Sequence, residues 1–225
     1  MTKTSAALKK IEAAYRLQNP TVVLSGDGGR QEKKSAQMQL NILRTAVKCL
    51  SEHGYSATTT QLVAEKADVS RGALLHHYAT RAKLIASTID FIYSTMLQRY
   101  ADQISELSDT ERKDVGLGME VFWDQTQSEE YQAWTELAAA ARADDELSLV
   151  FTPKAQKYDR LVATLIPEIF PEWANTDAER RQLAHDLVNV AVIGLYIQKK
   201  VVGSKRRRQK VRKFLFDAIQ TLREE

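Results

Sequence analysis

The segment from Thr58 to Arg81 constrains the fold more than any other part of the chain, because its sequence predicts two short helices joined by a turn. Thr58 or Thr59 can cap the first helix, and Thr58 with Gln61 has the T-x-x-Q spacing of a capping box. The first helix is expected to end near Ala67. The segment therefore predicts a helix-turn-helix.

The second short helix presents one face suited to close contact with another surface. Asp68, Val69 and Ser70 interrupt the helical pattern, and Ser70 is a natural N-cap for a helix that runs to about Tyr78. Val69, Leu74 and Tyr78 can pack inward. The opposite face has small residues at its N-terminal end and donors on either side, which is typical of a helix that lies in a DNA groove. This reading face consists of Ser70, Arg71, Gly72, Ala73, Leu75, His76 and His77.

The residues around this segment follow the pattern of one known family. The matching positions are Gly54, Tyr55, Ala57, Thr58, Thr59, Val63, Ala64, Val69, Ser70, Arg71, Gly72, Leu74, His77, Tyr78 and Arg81. On these residues, the region 40–90 resembles the DNA-binding domain of the tetracycline-repressor (TetR) family of bacterial transcriptional regulators. Two positions depart from the family pattern: Asp68 replaces a usual Gly, and Leu75 replaces a Tyr that touches the DNA backbone. Asp tolerates a left-handed conformation, so the turn should survive, whereas Leu75 loses a phosphate contact and makes a thymine-methyl contact conceivable.

The resemblance and the hydrophobic pattern both indicate an all-α fold. The resemblance implies an N-terminal three-helix helix-turn-helix domain and a C-terminal helical domain that binds a ligand and dimerises. We expect residues 1–33 to form an extension and flexible linker, residues 34–83 the DNA-binding domain and residues 84–225 the second domain. Helical periodicity predicts about nine core helices, with a kink or a broken turn at Pro153, and sustained period-2 alternation is absent.

Positions on the second short helix suggest individual roles in DNA binding. We expect Arg71 to contact a guanine edge or a phosphate, and His76 a base or a phosphate. Gly72 and Ala73 allow close approach of the backbone. The predicted DNA-binding set comprises Thr59, His77 and Arg81 for phosphates, Lys83 in the first turn of the following helix, and Ser70, Arg71, Gly72, Ala73, Leu75 and His76.

Charge is distributed unevenly along the chain. Residues 1–83 carry 13 Lys and Arg against 6 Asp and Glu, a net charge of +7, whereas residues 84–204 carry 11 against 20, a net charge of −9. A basic N-terminal third that coincides with a helix-turn-helix favours contact with a polyanion over chance scatter of surface charge. The basic run 205–210 is interpreted as a solvated loop and helix start, with nucleic-acid binding as the alternative.

The compartment is predicted from two simple features. Cys49 is the only cysteine, so an intrachain disulfide is excluded and a reducing cytoplasm is the natural location. No hydrophobic run reaches the ~20 residues of a membrane span, and the first residues lack a signal-peptide core. We therefore expect a cytoplasmic protein without a membrane partner.

The last two helices predict a homodimer. Residues 187–197 are apolar around almost the whole circumference of a helix, which must then be covered on both sides. The last helix has a single apolar stripe, so two copies of the pair can form a four-helix bundle, and Ala191 and Gly194 permit close approach. The family that the chain resembles dimerises in this way. The alternative is a monomer in which the first of these helices is fully buried.

Candidate ligand contacts lie in the acidic middle of the chain. The resemblance implies an effector cavity enclosed by helices that here carry many aromatic residues, although aromatic residues at helical spacing are more often plain core. A buried His185 or Asn189 needs a hydrogen-bond partner, which can also be a helix carbonyl or a partner subunit. The predicted ligand set is Trp123, Trp134, Tyr158, His185 and Asn189, and neither a cofactor nor a metal is expected.

Taken with the resemblance, these features predict a ligand-responsive transcriptional regulator, a repressor that binds a palindromic operator as a dimer and is released by a small molecule. Two other classes remain as alternatives. An all-α small-molecule-binding protein or enzyme has no supporting motif, since H-E-x-x-H, Walker and G-x-S-x-G patterns are missing. A helical adaptor without specific DNA binding disagrees with the basic N-terminal third.

Overall fold

The computed structural model describes Ala13 and residues 29–108, 110–111 and 115–224 of the chain. Most of the predicted extension 1–33 thus lies outside the described residues. Within them helices are the regular secondary structure and no strand occurs, which confirms the all-α prediction. The helices are α1 (Arg30–Ala57), α2 (Thr60–Lys66), α3 (Arg71–His77), α4 (Arg81–Glu106), α5 (Val115–Gln125), α6 (Glu129–Ala141), α7 (Asp145–Ile169), α8 (Ala178–Ile197), α9 (Lys199–Val202) and α10 (Lys205–Glu224), with a 3-10 turn at Pro171–Trp173.

The chain divides into two compact units, and the long helices α4 and α7 each contribute to both. The first unit contains the described residues up to Gln98 together with Ser128–Tyr158. The second unit contains the described residues of Arg99–Gln127 and of Asp159–Glu225.

The core of the first unit forms where α1 packs against α6 and α2, and α2 in turn packs against α3. The buried positions of α1 recur at three- and four-residue intervals, which gives the helix one continuous apolar face. Ile42, Leu50 and Leu74 are completely enclosed, so this core fixes α3 from behind. Each such side chain typically contributes about 1.5–3 kcal/mol to stability.

Gly54 interrupts α1 three residues before its end, because its φ of 79° is left-handed. The buried hydroxyl of Thr58 donates to the Gly54 carbonyl oxygen at 2.8 Å, which removes Thr58 from the role of N-cap. Thr59 caps α2 instead, and the predicted capping box between Thr58 and Gln61 is therefore wrong.

In the second unit, α10 packs against both α8 and α5. The structure contains ten α-helices among its described residues where about nine were predicted, because Gln198 leaves the helical conformation and separates α9 from α8. Helix α7 runs through Pro153 without a broken turn. A proline forfeits the bond to the carbonyl four residues earlier, and here that residue is Leu149, whose 79% exposure gives water access to the site. Among the residues described, no helix combines the length and apolar character that a membrane span requires.

Candidate DNA-binding interface

The turn between α2 and α3 is held by hydrogen bonds to the main chain. The Thr59 hydroxyl accepts from the Leu62 amide, and the Ser70 hydroxyl accepts from the Ala73 amide, both at 3.1 Å. Asp68 has a φ of 53°, so the left-handed turn expected for this departure from the family pattern is present. These bonds satisfy amides that a short helix leaves unpaired, and they fix where α3 begins.

Side chains of α1 lock the turn and α3 from behind. The Asn41 amide donates to the Ala67 carbonyl at 2.8 Å, which ties α1 to the end of α2. At the other end of α3, the Gln39 side-chain nitrogen lies 3.3 Å from His77 Nδ1. An amide nitrogen only donates, so Nδ1 accepts and the neutral His77 ring carries its proton on Nε2. Sequence reasoning missed Gln39 and Asn41, although both are polar residues within the apolar repeat of α1.

Buried residues of α3 confirm its orientation. Leu74 is fully enclosed and Tyr78 is 7% exposed, as predicted for the inward side, whereas Val69 is half-buried. Burial raises the pKa of the Tyr78 hydroxyl to about 12, so it stays protonated at neutral pH. Burial, followed by the nearby His76, lowers the pKa of His77. His77 is thus neutral near pH 7 and is a hydrogen-bond donor rather than a cation there.

The reading face is open to solvent at its N-terminal end. Ser70, Arg71, Gly72 and His76 are exposed, and Ala73, Leu75 and His77 are half-buried. A Cβ atom built on Gly72 meets only the Ser70 hydroxyl, at 4.0 Å, so the chain itself does not require glycine there. The structure thus brings seven predicted residues to one short helix and leaves space in front of Gly72.

Arg81 connects the start of α4 to the end of α1. Its Nε donates to the Thr58 carbonyl at 2.9 Å and one Nη donates to the Tyr55 carbonyl at 2.5 Å. The guanidinium also lies over the Tyr55 ring, 4.1 Å from its centre. Much of the donor capacity of Arg81 is thus used inside the protein, while its phosphate contact stays a prediction. The Thr80 hydroxyl caps α4 by accepting from the Lys83 amide at 3.1 Å, and the Lys83 side chain is exposed.

This geometry agrees with what the comparisons with known proteins find. Residues 42–88, which run from α1 into α4, match the family described as bacterial regulatory proteins, tetR family. The helix-turn-helix region of the chain therefore belongs to the TetR family. The chain is accordingly a DNA-binding transcriptional regulator, and the enzyme alternative has no support from its relatives, which are regulators.

Similarity to known proteins extends beyond the helix-turn-helix. An uncharacterised HTH-type transcriptional regulator of Mycobacterium tuberculosis is 24% identical over 147 residues, which are 63% of this chain and 75% of the relative. The HTH-type transcriptional repressor AcnR of Corynebacterium efficiens is 37% identical over 51 residues, 23% of this chain and 27% of the repressor. The multidrug binding protein EbrR, solved in complex with imidazole, has a TM-score of 0.59 at 18% identity and covers 79% of this chain and 92% of its own. The likeness to EbrR is one of fold.

Trp134 and Tyr158, two of the predicted ligand residues, contact the same tyrosine in the first unit. The Trp134 indole N–H donates to the Tyr93 hydroxyl at 2.9 Å. Tyr158 stacks on the same Tyr93 with ring centres 4.5 Å apart. Trp134 also lies against Tyr131 and Phe151, at 5.7 and 6.2 Å between ring centres. Tyr93, which sequence reasoning did not single out, is thus the centre of an aromatic cluster formed by α4, α6 and α7.

The other predicted ligand residues lie in the second unit. His185 is buried, and its Nε2 is 2.7 Å from an Asp159 carboxylate oxygen and 3.0 Å from the Asn189 side-chain nitrogen. The expected need of His185 for a partner is therefore met within the protein by the Asp159 carboxylate. Trp123 is separate from this pair and lies beneath the Arg212 guanidinium, 4.7 Å from the ring centre. The predicted ligand set thus falls into three groups.

Proposed function

We propose that this TetR-family regulator is a homodimeric repressor that binds a palindromic operator in the cytoplasm and is released by a small molecule. In this proposal residues 34–83 contact DNA, residues 84–225 dimerise and bind the effector, and residues 1–33 precede both. The observation that carries the DNA-binding part is the reading face: an exposed surface on a helix that Ser70 caps at its start and Gln39 of α1 contacts at its end. Two such helices one turn of DNA apart, about 34–36 Å, fit successive major grooves.

The dimer is supported by apolar side chains that one copy leaves in solvent. Val190 and Phe214 are 73% and 76% exposed, and several large apolar side chains exposed on neighbouring helices are typical of a protein–protein interface. On α8 the exposed positions recur every three to four residues, and Val192 and His185 on the opposite side are buried. This one-sided exposure disagrees with the monomer alternative, in which the helix is fully buried. We call these residues the apolar stripe: Leu183, Leu187, Val190 and Ile197 of α8, Val201 of α9, and Val211 and Phe214 of α10.

Ligand response is supported by the aromatic cluster in the first unit. Tyr93 belongs to α4, the helix whose first residue, Arg81, holds the end of α1. Trp134 belongs to α6, which packs directly against α1. A small molecule that inserts beside Trp134 or Tyr158 therefore pushes on helices that contact the support of the reading face. Its effect on operator affinity cannot exceed its differential affinity for the two conformations.

The test uses fragments from upstream of the protein's own gene, because such regulators often control adjacent genes. At 150 mM salt we expect Arg71→Ala to weaken specific binding by ~1–3 kcal/mol, the loss typical of a base-contacting arginine. Arg142→Ala is the matched control, since Arg142 is an exposed arginine of the same unit outside the reading face. Equal affinities of the two variants would show that the reading face is wrongly assigned. Sedimentation equilibrium of the parent tests the dimer independently.

A further inference from the structure

A pocket of about 230 Å³ lies in the second unit, between α5, the end of α8, α9 and the start of α10. Its walls combine two aromatic rings with four cationic side chains. The residues concerned are Trp123, Tyr196, Lys199, Lys205, Arg208 and Arg212. Three of the cations come from α10, so the basic run that the sequence shows at residues 205–210 contributes to a concave site.

The cations of this basic pocket are only partly neutralised by the protein. Arg212 forms an ion pair with Glu120, whose side chain is 57% exposed. Arg208 donates from its Nη1 to the carbonyl oxygens of Lys199, the first residue of α9, and of Gly203, which follows its last residue. Lys199 and Lys205 are exposed. Among the described residues, Glu120 thus forms the ion pair found at these four positive charges, and a bound anion reduces their mutual repulsion.

The aromatic rings hold two of these cations in place. The Arg212 guanidinium lies 4.7 Å from the centre of the Trp123 ring, and the Lys199 ammonium lies 4.7 Å from the centre of the Tyr196 ring. Each cation thus lies over an electron-rich ring face, an arrangement that restricts its position. The half-buried rings also offer apolar surface to a flat group, which free phosphate or chloride cannot use.

From this arrangement we infer that the basic pocket binds a small organic anion that carries a flat ring. The anionic group contacts Lys199, Lys205 and Arg208, and the ring lies against Trp123 or Tyr196. The volume is below the 300–1,000 Å³ of common ligand sites, which limits the ligand to about one ring. A carboxylate and a phosphate ester share this chemistry.

An anion bound in the basic pocket would affect the proposed dimer, because the pocket lies beside the apolar stripe. Lys199 and Lys205 belong to α9 and α10, the helices that also carry Val201, Val211 and Phe214 of the apolar stripe. An anion that draws the two helices together shifts the stripe. As an effector site additional to the one beside Trp134 and Tyr158, the basic pocket rests on the proposed function; as an anion-binding site, it stands without it.

The test is calorimetry on the full chain without DNA, using phenyl phosphate, benzoate, inorganic phosphate and benzyl alcohol. We expect at least one aromatic anion to bind ten or more times tighter than both inorganic phosphate and benzyl alcohol. Whichever of phenyl phosphate and benzoate binds tighter identifies the anionic group. Inorganic phosphate binding as tightly as both aromatic anions overturns the role of the ring. Benzyl alcohol binding as tightly overturns the role of charge, and absence of anion binding at millimolar concentration overturns the site.

Paired variants locate the site. K199Q/K205Q removes two pocket charges, whereas K200Q/K210Q removes two charges from the same helices at exposed positions outside the pocket. We expect the first variant to bind the aromatic anion at least tenfold more weakly and the second to bind it like the parent. Equal affinities overturn the assignment, as does a selective loss of DNA affinity by K199Q/K205Q without any anion. If the anion binds the pocket but leaves operator affinity unchanged, the site stands and its proposed role as effector site fails.

Discussion

The reading face and the apolar stripe are both surfaces that a single chain leaves uncovered, but they differ in what they require. The reading face belongs to a helix of seven residues whose caps and anchors satisfy its own polar groups. Its exposed side chains are polar or small, so the free protein is stable in water with this face open. The apolar stripe exposes large aliphatic and aromatic side chains, and each Å² left in water forgoes about 25 cal/mol. The reading face is stable without a bound partner, whereas the apolar stripe is proposed to be covered by a second copy of the chain.

The largest expected effect comes from placing a charge in the apolar stripe. Val190→Asp puts a carboxylate where two copies are proposed to meet, and burying an unpaired charge is costly. We expect the dimer dissociation constant to rise more than 100-fold, equivalent to about 2.7 kcal/mol, and operator affinity to fall with it. Sedimentation equilibrium measures the first quantity and fluorescence anisotropy the second.

The control for this variant is Leu149→Asp. Leu149 is 79% exposed on α7 and is not part of the stripe, so the same chemical change there should leave association unchanged. A Val190→Asp protein that remains dimeric, or a Leu149→Asp protein that dissociates, places the dimer interface elsewhere.

Alanine substitutions at two glycines, one in each surface region, are expected to have a smaller effect on binding. Gly72 in α3 and Gly194 in α8 both have room for a Cβ atom within the single chain. Alanine should therefore stabilise each helix, by up to ~1 kcal/mol. If DNA approaches Gly72, Gly72→Ala lowers operator affinity about tenfold, ~1.4 kcal/mol, and leaves the dimer intact. If a second copy approaches Gly194, Gly194→Ala weakens the dimer by a similar factor. If Gly72→Ala weakens the dimer and Gly194→Ala lowers operator affinity, or if neither variant has an effect, DNA and the second copy do not approach these glycines as proposed.

The two surfaces also differ in how far the sequence predicts them. Ser70 and Asp68 are local signals, since a cap or a left-handed turn depends on residues only a few positions away, and the structure has each where it was predicted. The capping box failed for a non-local reason. The Thr58 hydroxyl is enclosed and bonds to Gly54, so burial decided between two adjacent threonines that are equally good caps by sequence.

Ligand contacts are harder to predict because they depend on which helices meet. Trp134 and Tyr158 share Tyr93, a residue on a third helix with no signal of its own beyond being aromatic. The basic run at 205–210 gives no hint of the aromatic rings beside it, since Trp123 comes from a helix about 80 residues earlier. Periodicity places a residue on the face of a helix, but packing decides which residue lies opposite.

The capping hydroxyl of α3 has a moderate expected effect confined to the reading face. Ser70→Ala leaves the Ala73 amide without its acceptor, a loss of about 1 kcal/mol. Hydrogen exchange should show faster exchange in α3 while the amides of α8 and α10 are unchanged. Ser56→Ala, at an exposed serine near the end of α1, is the control and should change neither region. If α3 exchanges at the parent rate in Ser70→Ala, packing of Leu74 alone fixes the helix.

The smallest expected effect is a pH dependence that originates at His77. Burial and then His76 lower the pKa of His77 in the folded protein, so the unfolded chain binds the proton more tightly. Stability therefore decreases as pH falls through the ordinary histidine value of about 6.5, and the loss levels off below the folded pKa. His77→Gln should flatten this decrease between pH 7 and 5 in urea unfolding of the first unit's helices, whereas His53→Gln, an exposed histidine of the same unit, should retain it. Identical pH profiles in the parent and His77→Gln would mean that protonation of His77 is compatible with its bond to Gln39, and that the reading face remains in place in acid.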